Sequence, residues 1–376
     1  MRLAKVPNDK ASVTIPEMVS RGIADKNAKI CKGDGVRYVP IHDGRENDVI
    51  GMGIDVVDGE TFKRETRSPQ NRIKGSLAHL PKEVVNELPM RWEFVGDIVI
   101  LRLEDSAVPY KDDIGKAYAE ALNAKTVCAD IGGVSGELRR PKMDTIFGSD
   151  TEAVRLENGI LYKFDVTKVM FASGNTNERN RMKHIDCKDE TIVDMFAGIG
   201  YFTLPAAKFS RCRKVIACEK NPDSFHYLKE NVRLNEVGDI VEPVFGDNRE
   251  LNCKDADRII MGYVQKTSQF LEKAGSMIKH GGIIHYHDTF YVNEYEERLN
   301  KIFKDVFGSE GYEILSVKEV KSFAPSVSHY VADVRISQTK HSGRIRRDLN
   351  PRTVKDAGIN LNKYEINGGK HVSKDP

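Results

Sequence analysis

The sequence predicts an α/β protein whose main part is a doubly wound parallel sheet. An apolar run at 192–196 leads directly into a turn with Gly198 and Gly200, as a strand does before a tight turn into a helix. Two further apolar runs, at 215–218 and 240–245, follow at intervals that leave room for helices between them. Strands and helices that alternate in this way form a parallel sheet with helices on both faces.

The N-terminal part of the chain predicts smaller units before this sheet. Residues 1–57 are expected to form a small α+β domain, with a helix near 16–22 and a strand at 36–41. Residues 58–79 are rich in charged and small polar residues and contain few large apolar ones. Such a composition predicts a flexible linker between the small domain and the rest of the chain.

Residues 80–190 are predicted to form a second α+β domain. Strand-like runs at 97–103 and 126–129 flank a helix that contains 118–122, and a less regular run at 165–171 ends in a polar turn. This segment has no cofactor motif of its own. It is therefore expected to shape the substrate site or to close over it.

Residues 191–337 are predicted to hold the doubly wound sheet. Asn221 and Pro222 open one of its helices in the preferred way, as N-cap and first helical residue. The later elements are a fourth strand at 257–263, a helix at 271–278, a fifth strand at 282–286 and an antiparallel edge strand at 328–336. Residues 338–376 contain nine Lys or Arg against four Asp or Glu and predict a basic C-terminal tail, with a merely solvated tail as the alternative.

Composition limits the classes of protein that this chain can belong to. Its 376 residues predict two or three domains, and its net charge of +2 does not by itself indicate a nucleic-acid partner. The six cysteines include no C-x-x-C pair, which argues against a zinc site and an iron–sulfur cluster, so no metal is expected. No apolar run is long enough for a membrane span, and the N-terminus lacks a signal sequence. A cytoplasmic protein without membrane contact is expected.

Acidic residues at the ends of the predicted strands point to a bound nucleoside. Glu219 ends the second strand, where such sheets place a carboxylate on a ribose diol. Asp247 follows the third strand and is placed to accept a hydrogen bond from an adenine amino group. Thr203 stands where a dinucleotide site has its third glycine, and Asp194 and Phe196 lie beside the turn. An anionic side chain there suits a cationic ligand such as S-adenosylmethionine better than a diphosphate; an α/β core with incidental acids is the alternative.

With these motifs identified, the chain resembles the Trm5/TYW2 family of S-adenosylmethionine-dependent tRNA-modifying transferases. The resemblance covers most of 80–336 and is carried by the segments 162–171, 173–175, 178–179, 194–200 and 282–286. It implies a class I methyltransferase-like, Rossmann-type fold, S-adenosylmethionine as cofactor and the anticodon loop of tRNA-Phe as substrate. Residues 1–57 resemble, more weakly, the small domain with which this family grips the tRNA body.

One local feature separates two branches of that family. The guanosine methyltransferases have Asn-Leu-Pro or Asn-Pro-Pro after the fourth strand, whereas this chain has Met261-Gly262-Tyr263-Val264. This departure resembles the aminocarboxypropyltransferase branch of wybutosine biosynthesis. It implies transfer of the 3-amino-3-carboxypropyl group to C7 of 4-demethylwyosine at position 37, with release of methylthioadenosine. A tRNA (guanine37-N1)-methyltransferase with a drifted loop and a non-catalytic tRNA-binding protein remain as alternatives.

The motifs and the resemblance together give the candidate site residues. The residues expected to bind the cofactor are Ser173, Arg179, Asp194, Phe196, Gly198, Gly200, Glu219, Lys220, Asp247, Asn248 and Met261. Arg179 and Tyr263 are the candidate catalytic residues, the first to reach the target nucleotide or the cofactor carboxylate and the second to stack on the base. His285 and His287 alternate on one strand and are interpreted as structural. A monomer is favoured, although the sequence does not determine the oligomeric state.

Overall fold

A computed structural model describes residues 1–60, 68–136, 138–264 and 266–337 of the chain. The predicted basic tail, 338–376, lies outside the described residues. The chain divides into two compact units, Met1–Ser76 and the part from Leu77 onward. In the described parts, no helix is both long and apolar enough to cross a bilayer.

The first unit is built on an antiparallel sheet of four strands in the order β2-β3-β1-β4. Its strands are β1 (Arg2–Pro7), β2 (Cys31–Gly33), β3 (Val36–Pro40) and β4 (Asp55–Asp58), and its helices are α1 (Ala11–Ser20), α2 (Glu46–Gly51) and α3 (Pro69–Ser76). Val6, Met18, Val39 and Val49 are buried in one apolar cluster. The small α+β architecture predicted for this region is present, and the helix expected near 16–22 begins earlier, at Ala11.

The linker predicted at 58–79 contains a helix. Residues 69–76 form α3, whose Ile73 is 2% exposed, while residues 61–67 lie outside the described part. The amide of Asn71 donates to Ser68 Oγ at 3.2 Å, and Pro69 is the first helical residue. Ser before Pro is a helix start signal. The interpretation as flexible linker was therefore wrong for these eight residues, because it weighed composition above the capping signal.

The second unit begins with a sheet in the order β5-β6-β7-β8, followed by a separate hairpin of β9 and β10. The elements are α4 (Lys82–Asn86), β5 (Glu93–Val95), β6 (Ile98–Leu101), α5 (Lys111–Leu122), β7 (Thr126–Ser135), β8 (Arg140–Phe147), β9 (Glu152–Glu157), β10 (Ile160–Asp165) and α6 (Thr176–His184). The expected strands at 97–103 and 126–129 and the expected helix at 118–122 are all present.

The run at 165–171 is not a strand. The Asp165 carboxylate accepts hydrogen bonds from the Thr167 amide at 2.8 Å and the Thr167 hydroxyl at 2.6 Å. This local turn ends β10 at Asp165, since an Asp side chain that bonds the backbone two residues on replaces the strand ladder. The weak alternation of this run reflects the turn.

The doubly wound sheet predicted from the sequence is confirmed. Seven strands lie in the order β13-β12-β11-β14-β15-β17-β16. The elements are β11 (Thr191–Asp194), α7 (Thr203–Phe209), β12 (Lys214–Glu219), α8 (Pro222–Leu234), β13 (Val241–Phe245), β14 (Ala256–Met261), α9 (Leu271–Met277), β15 (Ile278–Tyr291), α10 (Tyr295–Phe307), β16 (Tyr312–Ala324) and β17 (Val327–Ile336). Strands β11 to β15 pair in parallel, and β17 pairs antiparallel with both β15 and β16.

Two features of this sheet bear on the sequence predictions. Asn221 caps α8 as expected, because its side chain accepts from the Asp223 amide at 3.0 Å. The strand predicted at 328–336 is antiparallel but does not lie at the edge, since β16 covers its outer side. Val331 and Val334 are each no more than 1% exposed, as suits an interior strand.

The strand order also determines where a ligand site belongs. It reverses between β11 and β14, so the chain leaves β11 toward β12 on one side and returns to β14 on the other. In sheets of this kind, ligands bind in the crevice at the carboxyl ends of the strands next to the reversal.

Candidate functional site

A cavity of about 690 Å³ opens at this crevice. Its lining residues come from the turn after β11, the end of β12, the loops after β13 and β14, the segment 169–179, and the β7–β8 and β16–β17 hairpins. The predicted site residues that line it are Arg179, Phe196, Gly198, Glu219, Lys220, Asp247, Asn248 and Tyr263. Distant parts of the chain therefore meet at one chamber.

Glu219 connects the glycine turn to the start of α8. Its Oε2 accepts from the Gly198 amide at 2.7 Å, and its Oε1 accepts from the Asn221 amide at 2.6 Å. Burial raises the pKa of Glu219, and these backbone donors oppose that effect. A carboxylate oxygen has two lone pairs, so each oxygen keeps acceptor capacity toward the cavity.

Asp194 and Gly200 support the glycine turn from behind and do not line the cavity. Asp194 is fully buried, and its carboxylate accepts from the Phe196 amide at 3.2 Å and from the Thr203 hydroxyl at 2.8 Å. Burial raises the pKa of Asp194 to about 6. Gly200 has φ +101°, and a Cβ there would lie 2.6 Å from Leu204 Cγ. Both residues shape the turn rather than face a ligand.

Asp247 and Asn248 present acceptors beyond the end of β13. Hydrogen bonds from Arg249 at 2.6 and 2.9 Å hold the pKa of Asp247 well below its usual range, and Lys220 Nζ lies 3.4 Å from the same carboxylate. The Asn248 amide nitrogen donates to the Met195 carbonyl at 3.1 Å, which fixes the orientation of the amide. Among the described residues, its buried Oδ1 has no hydrogen-bond partner. A buried acceptor without a donor is costly, so this oxygen is suited to accept a hydrogen bond from a group bound in the cavity.

Aromatic rings form another part of the cavity. Phe196 and Tyr263 stack with centroids 5.1 Å apart, and Phe270 meets Phe196 edge-on at 5.0 Å. Gly262 lies between Tyr263 and Met261, and a Cβ there would come within 2.9 Å of the Phe202 ring. Met261 itself is fully buried and does not line the cavity. The position of Met261 therefore does not support its predicted contact with the cofactor.

Arg179 lines the cavity but is tightly held. It is 1% exposed, it bonds Glu157 through Nε at 2.6 Å and Nη2 at 3.1 Å, and it donates to the Ala172 carbonyl at 2.9 Å. Its guanidinium also lies 4.5 Å over the Phe171 ring. These contacts fix the segment that carries Ala172 against the cavity. Ser173, the predicted neighbour, is exposed and does not line it.

Sequence reasoning missed a second group of lining residues. Arg139, Lys321 and His329 line the cavity from two hairpins, and Lys266 from the loop before α9. Burial lowers the pKa of Lys321, and the nearby charges of Arg139 and Arg179 lower it further. Only the inward alternation of β17 could have pointed to His329, and no sequence motif marks the others.

The comparisons with known proteins are consistent with this geometry. The profile of the TRM5/TYW2 methyltransferase domain matches residues 153–315, and that of the TYW2 N-terminal domain matches residues 73–151. The tRNA(Phe) (4-demethylwyosine(37)-C(7)) aminocarboxypropyltransferase of Pyrococcus horikoshii is 43% identical over 275 residues, which are 72% of this chain and 98% of that enzyme. The chain belongs to the TRM5/TYW2 family.

Solved structures of the TRM5/TYW2 family match the fold. The crystal structure of Pyrococcus horikoshii TYW2 in complex with MeSAdo has a TM-score of 0.65 and 42% identity, and it covers 71% of this chain and 99% of that one. Trm5b from Pyrococcus abyssi has a TM-score of 0.69 and 31% identity, over 90% of this chain and 100% of that one. The family resemblance and the class I methyltransferase-like fold inferred from the sequence are confirmed.

Proposed function

We propose that this member of the TRM5/TYW2 family transfers the 3-amino-3-carboxypropyl group of S-adenosylmethionine to C7 of 4-demethylwyosine at position 37 of tRNA-Phe. Methylthioadenosine is the second product. The observation that carries the proposal is the 43% identity over 98% of the Pyrococcus horikoshii enzyme named for this reaction. The runner-up is N1 methylation of guanosine 37, the reaction named for Pyrococcus abyssi Trm5b, which is 31% identical over 343 residues.

The cavity supports a nucleoside at the ends of β12 and β13. Glu219 offers two carboxylate oxygens for a ribose diol, and the buried Asn248 Oδ1 offers an acceptor for an adenine amino group. Phe196 lines the same cavity with its ring. S-adenosylmethionine contains all three groups that these side chains suit: a diol, an amino group and a flat aromatic ring.

The reaction does not require a strong acid or a strong base from the protein. The sulfonium of S-adenosylmethionine is a good leaving group, so the site mainly selects which of its carbons faces the nucleophile. In the loop after β14 this chain has Gly262 and Tyr263 and no amide side chain or proline between Met261 and Val264. The segment 261–264 therefore lacks the amide with which the guanosine methyltransferase pattern would pair a guanine edge, which supports aminocarboxypropyl transfer over guanosine methylation.

Cationic and aromatic side chains support RNA as the second substrate. Arg139, Lys266 and Lys321 line the cavity and can neutralise phosphates, and Tyr263 can stack on an unpaired base. We also propose that residues 1–57 bind the body of the tRNA. In support, the match to Trm5b covers 89% of this chain, more than the 72% covered by the aminocarboxypropyltransferase.

The test is a product analysis with purified protein, S-adenosylmethionine and tRNA-Phe that carries 4-demethylwyosine. We expect methylthioadenosine in the small-molecule fraction and a mass gain of one aminocarboxypropyl group on the modified base. Adenosylhomocysteine and a gain of one methyl group would instead establish the runner-up. Neither product, together with no binding of S-adenosylmethionine in calorimetry, would identify a tRNA-binding protein without this activity.

A further inference from the structure

A pair of buried histidines connects the cavity to an internal ion pair. His329 lines the cavity and is 3% exposed. Its Nε2 lies 3.1 Å from Nδ1 of His287, which is 1% exposed and stacks on Phe202 with ring centroids 5.1 Å apart. His287 Nε2 lies 3.7 Å from Oε1 of Glu178 and has no hydrogen-bond partner among the described residues. The three side chains form a row that leads inward from the cavity wall.

The sheet places this row at the end of the cavity that is far from the proposed nucleoside site. His329 on β17 pairs with Thr289 on β15. Thr289 lies three residues beyond Tyr286, and Tyr286 pairs with Met261, the last residue of β14. Three residues of strand extend about 10 Å, so His329 lies past the carboxyl end of β14, on the side of the sheet where ligands bind. Four strand steps separate β17 from β12, or about 19 Å at the usual strand spacing. The histidine is therefore remote from Glu219 and from the proposed nucleoside site.

The ion pair between Glu178 and Arg181 favours one arrangement of the hydrogens on the two rings. Glu178 is held by Arg181 through bonds of 2.7 and 2.8 Å and is 5% exposed. A carboxylate beside His287 Nε2 favours an N–H at that atom, which leaves His287 Nδ1 as the acceptor of the bond from His329. His329 then has its N–H on Nε2 and a lone pair on Nδ1. The ring that lines the cavity is thus prepared to take up a proton.

We propose that His329 accepts the proton that C7 of the base loses and that His287 and Glu178 receive its charge. This inference rests on the proposed function. The C7–Cγ bond forms from the π electrons of the base while the Cγ–S bond breaks and its electron pair goes to sulfur. The C7 proton passes to His329 Nδ1, and the C–H electrons restore the aromatic ring. His329 Nε2–H passes to His287 Nδ1, and the resulting imidazolium forms an ion pair with Glu178.

The electrostatic surroundings are consistent with two neutral rings before reaction. Burial lowers the pKa of His329 to about 2, with further contributions from His287, Lys321 and Arg139. Burial lowers the pKa of His287 to about 3, and Arg181 contributes in the same direction. A weak base is sufficient, because restoring the aromatic ring drives the loss of the proton. Since a neutral ring can accept a proton and a charged ring cannot, both histidines are available at neutral pH.

The test measures turnover with tRNA-Phe whose 4-demethylwyosine carries deuterium at C7. For His329→Asn we expect kcat to fall by about 100-fold, with KM for S-adenosylmethionine and for tRNA within about twofold of wild type. A primary isotope effect that the wild type lacks should appear, because proton loss becomes rate-limiting. His287→Asn should lower kcat less and show the same isotope effect. A purely structural role would not produce an isotope effect at C7.

Two controls separate the relay from misfolding. His280→Asn replaces an exposed histidine of β15 and should leave kcat unchanged. The activity of His329→Ala should be partly restored by added imidazole, which cannot repair a misfolded cavity. Two results would overturn the relay alone. The first is that His329→Asn releases methylthioadenosine with unchanged kcat. The second is that kcat falls without an isotope effect at C7 and without rescue by imidazole. Adenosylhomocysteine release by the wild type would overturn the relay and the proposed function together.

Discussion

Replacing Glu219 by Gln tests the proposed nucleoside site most directly. Each carboxylate oxygen bonds a backbone amide, at 2.7 Å to Gly198 and at 2.6 Å to Asn221. The amide side chain removes the charge and turns one of these acceptors into a donor that faces an N–H group. A hydrogen bond to a charged group contributes about 1.5–3 kcal/mol. At about 1.4 kcal/mol per tenfold, the Kd for S-adenosylmethionine should rise by about 10- to 150-fold.

The assay is calorimetric titration of wild type and Glu219→Gln with S-adenosylmethionine, beside a binding isotherm for tRNA. The matched control is Glu242→Gln, the same change on the neighbouring strand β13 at an exposed carboxylate paired with Lys214. An exposed ion pair contributes about 0–1 kcal/mol, so both affinities of this control should stay close to wild type. A Kd for S-adenosylmethionine within twofold of wild type would refute the assignment of Glu219. An equal loss of tRNA affinity would point to misfolding instead.

Three further predictions follow from the same geometry. Tyr263→Leu removes the ring that stacks on Phe196 and, in the proposed function, on the target base. Stacking on a base contributes about 1–3 kcal/mol, so KM for tRNA should rise at least fivefold. Calorimetry should show unchanged binding of S-adenosylmethionine. Burial raises the pKa of Asp194 from 3.8 to about 6, so the folded state holds this proton more tightly. The free energy of unfolding should therefore fall by about 2 kcal/mol as pH rises from about 4 to 6, out of about 3 kcal/mol over the whole titration. Asp194→Asn should remove that slope in denaturant titrations, and parallel curves for the two proteins would contradict the assignment. Binding of tRNA should weaken with added salt. Lys321→Met should reduce the slope of log K against log salt concentration by about one unit. An unchanged slope would mean that this lysine contacts no phosphate.

The parallel half of the sheet could be predicted because its information is local. Buried parallel strands are continuous apolar runs, and each glycine or acidic residue that follows a run lies at the carboxyl edge. Phe196, Gly198, Glu219 and Asp247 were found in this way, and all four line the cavity. The residues that pack behind the turn could not be distinguished from those that face the cavity, because both lie within a few positions of the same motif. Asp194 and Gly200 are examples.

Other errors arose where a signal depends on distant partners. Residues 328–336 carry no sign that another strand covers their outer side. The strand that covers them, β16, precedes them in the chain, and its buried and exposed residues alternate only weakly. The missed helix α3 is an error of another kind, because Ser68 and Pro69 form a local start signal that was weighed below the polar composition of the segment. The roles assigned to Arg179 and Tyr263 stay predictions, although both residues line the cavity.

By itself the sequence determined the order of strands and helices in the parallel part of the main sheet and the family, and it predicted the edge that is proposed to bind the nucleoside, since each depends on residues that are neighbours in the chain. Only the tertiary structure decided which side chains share the cavity with that edge. Arg139, Lys321 and His329 reach it from hairpins that antiparallel pairing positions. The row from His329 to Glu178 joins side chains more than 40 and 100 positions apart. Such contacts arise from packing between distant segments, and the periodicity of one segment shows which of its faces is buried but not which segment packs against it.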